Sequence, residues 1–583
     1  MALEGKRAGA VHHSGINWVG WSPDVFVRAR REHKLVILDL EAVWCHWCHV
    51  MDERTYADAN VSRAINANYI AVRVDQDSRP DLSNKYQNYG WPATIIFATD
   101  GTELAKRAGF IEPEDMAHLL SALARTRKPE ESSAVRHVSY SQDHQLSSAL
   151  RAQLTANHIK GYDTVNGAWS TGQKFMDADS EEYALTMAKQ GDSREKQMAD
   201  QTLMSQLHLV DPIWGGVCQY STHNDWNHAH FEKIMSIQSD NLRMYSLGYL
   251  VLAQERYLRT AKLIFGYLEN FLRSPDGAFY CSQDADLVPG KHSDEYYKLS
   301  DGQRRKQGIP RIDKHLYARE NGWAISGLTA LYAASGDPQV LKAAQEAANW
   351  VVAHRALPGG GYAHDEHDAA GPYLGDTLYM GRAFLDLYGV TGDKRWLNLA
   401  KSAADFAIDH FAVKKGRPGL LTCEARTDAV VQSDPLLDEN VAGARFFNLL
   451  NCYAPNEAYK QQSRSCMQYL ATPEIANQRK IFVGGILLAD RELSRPPVHI
   501  TAVGSKQDPQ AAQLFLAALR YPTSYKQTEW YDKGEGPLAS GEVEFPDLPN
   551  AAVFGCAFGR CSLPIFEASK IAGTIDSFAS SQN

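Results

Sequence analysis

Leu35-Val36-Ile37-Leu38-Asp39-Leu40-Glu41 runs directly into Ala42-Val43-Trp44-Cys45-His46-Trp47-Cys48-His49. The first seven residues form a short apolar run that contains one internal acid, the signature of a buried strand. Two cysteines two residues apart follow it, and the chain then reads as helical from Val50 to about Asn68. A helix that opens on a cysteine offers that sulfur free N–H groups, which stabilise a thiolate. Cys45 is thus the candidate attacking sulfur, and Cys48, one turn on, the candidate resolving sulfur. His46 and His49 flank the pair and, when protonated, favour the thiolate further.

Working outward, Tyr69–Asp75 alternates Ile70, Val72 and Val74 as a second strand, and residues 81–88 read as helical. Gly90-Trp91-Pro92 then leads into a third strand, ATIIFAT. Asp100-Gly101 makes a turn, and 113–126 closes the unit as an amphipathic helix. This is a βαβ unit followed by a hairpin.

On these residues the segment resembles thioredoxin. Asp39, six residues before Cys45, matches that family's buried acid, which assists proton transfer, and Trp44 matches the tryptophan before the first cysteine. Pro92 matches the proline that faces the disulfide, with a cis bond expected there. Trp44, Trp91 and Pro92 would shape the substrate groove. Other readings of Cys-His-Trp-Cys-His remain: a c-type haem attachment pattern, a zinc or copper site, or a docking module whose cysteines no longer turn over. The expected set holds no cofactor and no resident metal.

The chain has 583 residues and nine cysteines, and its formal net charge is −9. Mild acidity argues against nucleic-acid binding driven by phosphate neutralisation. No apolar run reaches the ~18–20 residues of a membrane span. The opening MALEGKRAGAVHHSG has no apolar core of a signal peptide, although a signal already removed would leave the same picture. Sparse, odd cysteines fit a cytoplasmic protein, and a removed signal would make an exported one equally natural.

Residues 127–145 are polar and read as a linker, dividing a domain at 1–126 from one at 146–490. The second stretch is helix-rich, with candidate helices at 146–158, 195–209, 235–260, 260–273, 320–335, 339–354, 376–390, 394–411, 440–453 and 455–470. Gly-aromatic turns recur at Asn166–Trp169, Trp214–Val217, Asp276–Tyr280, Gly360–Tyr362 and Pro418–Leu421. That spacing fits about six stacked αα-hairpins, closed as an (α/α)6 toroid or left as an open solenoid.

Loops beside these turns are rich in aromatic and polar groups. Trp226, His228, His230 and Glu232 lie in one, Asp284 and Asp286 in a second, and Tyr362–His367 in a third. Such sets suit a sugar-like ligand, with carboxylates for hydrolysis or a histidine pair for epimerisation. They equally suit structural hydrogen bonding and capping. Residues 491–583 read as a small αβ appendage, with a strand at 496–504 and a helix at 507–520. It carries Cys556 and Cys561, read as a disulfide, as a pair exchanging with Cys45/Cys48, or as two buried thiols.

Across most of its length the chain resembles the family that includes spermatogenesis-associated protein twenty. That family joins a thioredoxin domain to a barrel like those of six-hairpin glycosidases and N-acylglucosamine 2-epimerases. The matching stretches are Cys45–Met51, Arg79-Pro80-Asp81, Gly90-Trp91-Pro92, Lys174-Phe175, His230–Lys233 and Asp284–Asp286; Met176 and Tyr89 depart from the pattern. The resemblance implies an α/β thioredoxin-like domain, an all-α (α/α)6 toroid and a small αβ C-terminal segment. The function expected is thiol–disulfide exchange with a protein partner, the barrel binding a partner or ligand. The alternatives are a carbohydrate-active barrel with a regulatory thioredoxin domain, and a metal-binding or non-catalytic binding protein.

Overall fold

The computed structural model describes residues 15–130, 138–170, 172–368, 370–413, 416–424, 433–541, 544–557 and 560–580. The opening MALEGKRAGAVHHS and residues 131–137 of the expected linker lie outside the described residues.

The N-terminal sheet is built from β1 (Leu35–Glu41), β2 (Tyr69–Asp75), β3 (Ala93–Phe97) and β4 (Glu103–Ala108), in the order β2-β1-β3-β4. β1 pairs parallel with β2 and antiparallel with β3, and β3 pairs antiparallel with β4. The first six residues of β1 are buried, as a strand covered on both faces requires. The single helical stretch expected from Val50 to Asn68 is instead broken. A helix at His46–Met51 widens over Asp52–Tyr56, and a new helix, Ala59–Asn68, starts under the Asp58 side chain, which accepts from the N–H groups of Asn60 and Val61.

Among the described residues, twelve helices of 11 to 18 residues alternate between an outer and an inner position from Ser148 to Ser494. The inner six are Ala178–Lys189, Met235–Leu252, Ala318–Ser335, Leu374–Thr391, Leu437–Tyr453 and Gly484–Ser494. Each packs on the next, and the last packs on the first, so the ring closes into an (α/α)6 toroid and not an open solenoid. The Gly-aromatic turns turn out to be one repeated device: after five outer helices the chain makes a tight antiparallel bridge (Asp163 with Ala168, Val210 with Val217, Arg273 with Phe279, Ala356 with Tyr362, Ala412 with Leu420) before entering the ring.

Two inner helices, Ala178–Lys189 and Gly484–Ser494, lie outside the expected set. They carry buried charge, with Glu182 and Glu492 both clamping Arg445 inside the ring. They also approach closely, since a Cβ on Gly484 would meet the Ser180 backbone at 2.5 Å. Nor does 235–260 run as one helix: Ala253 takes a left-handed conformation (φ 55°) and separates Met235–Leu252 from Glu255–Tyr267.

The third unit is a sheet of β5 (Val498–Val503), β6 (Lys526–Tyr531), β7 (Ala552–Ala557) and β8 (Arg560–Cys561), ordered β6-β5-β7-β8. It covers the C-terminal ends of the inner helices: Lys189 pairs with Asp576, the Tyr388 hydroxyl donates to Glu529, and the Thr528 N–H donates to the Tyr453 hydroxyl. The thioredoxin-like unit covers the opposite end. Among the described residues no helix is long and apolar enough to cross a membrane.

Candidate functional site at the thioredoxin–barrel junction

Cys45 is the N-cap of helix His46–Met51, and its Sγ accepts the Cys48 backbone N–H at 3.3 Å. The same sulfur lies 3.6 Å from the Trp91 carbonyl, and the Trp91–Pro92 peptide bond is cis. Both thiols are free and buried. Burial, reinforced by the Cys45 sulfur and the charge of Glu41, pushes the Cys48 thiol well up.

Asp39 and Glu41 are two apart on β1 and share a face. Burial raises Asp39 to about 6 and Glu41 to about 8. Arg73, which the sequence reading did not single out, donates to Asp39 Oδ2 at 3.0 Å and also binds Asp52. The matched acid is thereby held in an ion pair, and Glu41 is the carboxylate whose charge bears on Cys48.

The barrel supplies the other wall. Glu232 Oε1 accepts the His46 backbone N–H at 3.2 Å, at the N-terminus of the cysteine helix. Asp286 binds the His46 ring at 2.8 Å and the His49 ring at 3.0 Å, while Asp284 lies 3.6 Å from His49. Burial pushes His49 down, but the Asp286 hydrogen bond and the two aspartate charges outweigh it and raise the imidazole to about 9. Asp284, buried, is pushed up to about 7. Burial alone would raise Asp286, yet the two histidines hold it low. The Trp44 carbonyl accepts the Ala285 N–H, and the Trp44 indole donates to Asp77 Oδ2 at 2.6 Å.

Four of the residues expected to line a barrel ligand site therefore gather instead around the Cys-x-x-Cys helix: His230, Glu232, Asp284 and Asp286. The His230 ring stacks on Tyr220 at 4.4 Å and sits 6.3 Å from the His46 ring. The other two lie elsewhere. His228 is exposed and paired with Asp225, and the Trp226 indole donates to the Asn166 carbonyl. The third loop contributes His364, whose Nε2 donates to the Asp77 carbonyl and whose Nδ1 pairs with Asp376. Asn84 donates to Thr422 at 2.7 Å, so the thioredoxin-like unit is tied down across the mouth of the ring.

What stays open is a cleft of about 640 Å³ that reaches Cys45, walled by Trp47, Tyr89, Trp91, Phe110, Phe175 and Tyr220. Cys556 and Cys561 form a disulfide across β7 and β8. That sheet lies at the far end of the ring, beyond helices of up to 18 residues, about 27 Å long. Exchange needs sulfur–sulfur contact, so within one chain the reading in which this pair trades electrons with Cys45/Cys48 fails on distance.

A family model described as "Protein of unknown function, DUF255" (Thioredox_DsbH) matches residues 9–139, and one described as "Beta-L-arabinofuranosidase, GH127 catalytic domain" matches residues 310–456. Spermatogenesis-associated protein 20 of Mus musculus is 23% identical over 487 residues, 74% of this chain and 58% of that one. The chain thus spans less than two thirds of the length of that relative. Thiol:disulfide interchange protein DsbD of Campylobacter jejuni is 32% identical over 85 residues, 14% of this chain and 15% of that one. Among solved structures, cellobiose 2-epimerase of Spirochaeta thermophila overlays with a TM-score of 0.47 at 12% identity, covering 59% of this chain and 97% of that one. The chain is thus a homologue of spermatogenesis-associated protein 20, joining a DUF255 thioredoxin-like domain to a six-hairpin glycosidase-like domain.

Proposed function

We propose that the chain is a thiol–disulfide oxidoreductase whose barrel forms one wall of the substrate groove. The observation that carries this reading is the placement of Cys45 Sγ at a helix N-terminus, beside Cys48 and at the base of an aromatic cleft. The Cys45 thiolate attacks a partner disulfide, forming a mixed disulfide and releasing one partner thiolate. Cys48 then loses its proton, attacks Cys45 Sγ and releases the second, leaving a Cys45–Cys48 disulfide and a reduced partner. Glu41, with its raised affinity for a proton, is the acceptor for Cys48. The local likeness to a protein named for thiol:disulfide interchange supports the same chemistry. The test is thiol trapping with mass spectrometry across a glutathione series on metal-free protein. A reversible Cys45/Cys48 couple between about −270 and −120 mV is expected, and the lack of any reversible couple overturns the reading.

A second reading, a carbohydrate-active barrel, draws on the match to an arabinofuranosidase catalytic domain and on Glu320, Asp376 and Glu439, buried in the first turns of inner helices. Glu439 is pushed up to about 7 by burial, in the range of a general acid. Against it, Asn84 and Asp77 of the thioredoxin-like unit lie over that end of the ring. Glu439→Gln separates the two: it leaves disulfide turnover intact under the first reading and abolishes sugar turnover under the second.

A further inference from the structure

Four groups of buried or half-buried acids, some with a histidine or cysteine, each bring three donor atoms close together. Three contain their own cation. Arg73 sits among Asp39, Glu41 and Asp52. His49 is paired with Asp284 and Asp286. In the group of Glu320, His364 and Asp376, both His364 nitrogens are spent on hydrogen bonds, and Arg319 pairs with Glu320.

In the fourth group the cationic partner is a histidine at the edge, His315, which meets one oxygen of Asp313. Asp77, Cys281 and Asp313 are 6%, 3% and 4% exposed, and each brings one donor atom within 4.8 Å of the other two. Among the described residues no lysine or arginine pairs with any of the three. Asp313 Oδ1 binds the half-exposed His315 ring, while Asp313 Oδ2 is buried with no hydrogen-bond partner among the described residues. Glu320, close enough for its charge to bear on Asp77, leaves Oε2 in the same condition. Asp75 adds a further carboxyl beside them. Buried oxygens of this kind cost free energy unless something meets them.

We propose that Asp77, Cys281 and Asp313 form a binding site for a divalent cation of borderline softness, with zinc as the reference ion. A thiolate with two carboxylates suits zinc, whereas calcium and magnesium ask for six or more oxygens, or for water. The donors are held in place before any ion arrives. The Cys281 N–H donates to the Asp313 carbonyl, and Asp313 pairs with Ser282 across two short strands. Asp77 comes from the thioredoxin-like unit and the other two from the barrel, so the ion clips the domains together. Its binding releases the Cys281 proton to solvent. Asp77 also holds the Trp44 indole, next to Cys45, so the ion positions the turn that carries the attacking sulfur.

The test uses the full chain carrying Cys45→Ser and Cys48→Ser, stripped with a chelator and titrated with Co²⁺, then with Zn²⁺ in competition. One equivalent of cobalt with an intense thiolate-to-metal absorption is expected, displaced by zinc. The absorption vanishes in Cys281→Ser, and Asp313→Asn, which keeps the side-chain volume, weakens binding tenfold or more while far-UV circular dichroism is unchanged. No thiolate absorption in the Cys45→Ser/Cys48→Ser chain overturns the site, as does equal cobalt affinity in folded Asp313→Asn. The result is independent of whether Cys45 and Cys48 turn over.

Discussion

The two sheets that close the ring have the same strand order and the same sense of pairing: a first strand parallel to the second, antiparallel to the third, and a fourth antiparallel to the third. In both, the turn after the first strand ends on a residue whose side chain caps the next helix. In the N-terminal sheet that residue is Cys45, whose sulfur accepts the Cys48 N–H. In the C-terminal sheet it is Asp508, whose carboxylate accepts the Gln510 N–H at 2.9 Å. In both, an aspartate after the second strand braces that turn: Asp77 takes the Trp44 indole, and Asp532 takes the Lys506 N–H. Each turn is also fastened to the barrel, through the Trp44 carbonyl in one and Lys506 Nζ to the Gly392 carbonyl in the other. One strand arrangement thus appears twice, and the cysteine at the N-cap, with the cleft above it, marks the end that is the redox candidate.

The sharpest way to break this comparison is Cys45→Ser. Reduction of a model disulfide falls at least about a thousandfold, because the nucleophile is gone, while the thermal midpoint stays put. The same loss in Cys556→Ser would reverse the roles assigned to the two ends.

Next in size is the pH response of the N-terminal junction. His49 binds its proton more tightly in the folded chain, near 9 against an ordinary 6.5, so its contribution is full below about 6.5 and lost as pH rises through 9. The loss amounts to about 3 kcal/mol at most. Thermal melts at pH 6 and pH 9.5 read it as a fall in stability that His49→Gln removes. Asp286 adds the opposite wing, its contribution vanishing as pH falls through its depressed value.

Opening the Cys556–Cys561 bond is a smaller change. The residues it joins are five apart, and closing so short a loop is worth roughly 2 kcal/mol. Reduction should lower the unfolding free energy of the C-terminal unit by that amount and leave Cys45 exchange untouched. Smallest is Asp508→Ala, which removes the cap and costs about 1 kcal/mol. Chemical denaturation of the full chain measures it, and any effect on exchange would tie the two ends more closely than the fold suggests.

Much of this architecture is legible in the chain. The strand at Leu35, the Cys-x-x-Cys helix start and Gly90-Trp91-Pro92 are local signals, carried by residues whose spacing alone demands them. The repeated turns pointed to paired helices because each needs its own glycine and aromatic. Ala178–Lys189 and Gly484–Ser494 were hidden because they bury charge, Glu181 and Glu182 in one and Asp490 and Glu492 in the other, which breaks the apolar pattern that marks a helix in sequence. The partnership of Asp286 with His46 and His49 was hidden for another reason: it spans 237 residues and more, and no local pattern announces which loop will meet which helix. Asp284 and Asp286 stood out as chemistry-bearing residues, but their place beside the thiols became visible only once the domains met.

The inner helices all run the same way, first turns toward the thioredoxin-like unit and last turns toward the C-terminal sheet. Six aligned peptide dipoles, each equivalent to roughly half a charge at either end, give the ring a polarity. Its positive pole collects the buried carboxyls Asp77, Asp313, Glu320, Asp376 and Glu439, and its negative pole meets Lys189 and Lys506. Asp77 of one lid and Lys506 of the other each meet the pole of opposite sign, whereas Glu529 and Asp576 of the second lid are held there by the Tyr388 hydroxyl and by Lys189.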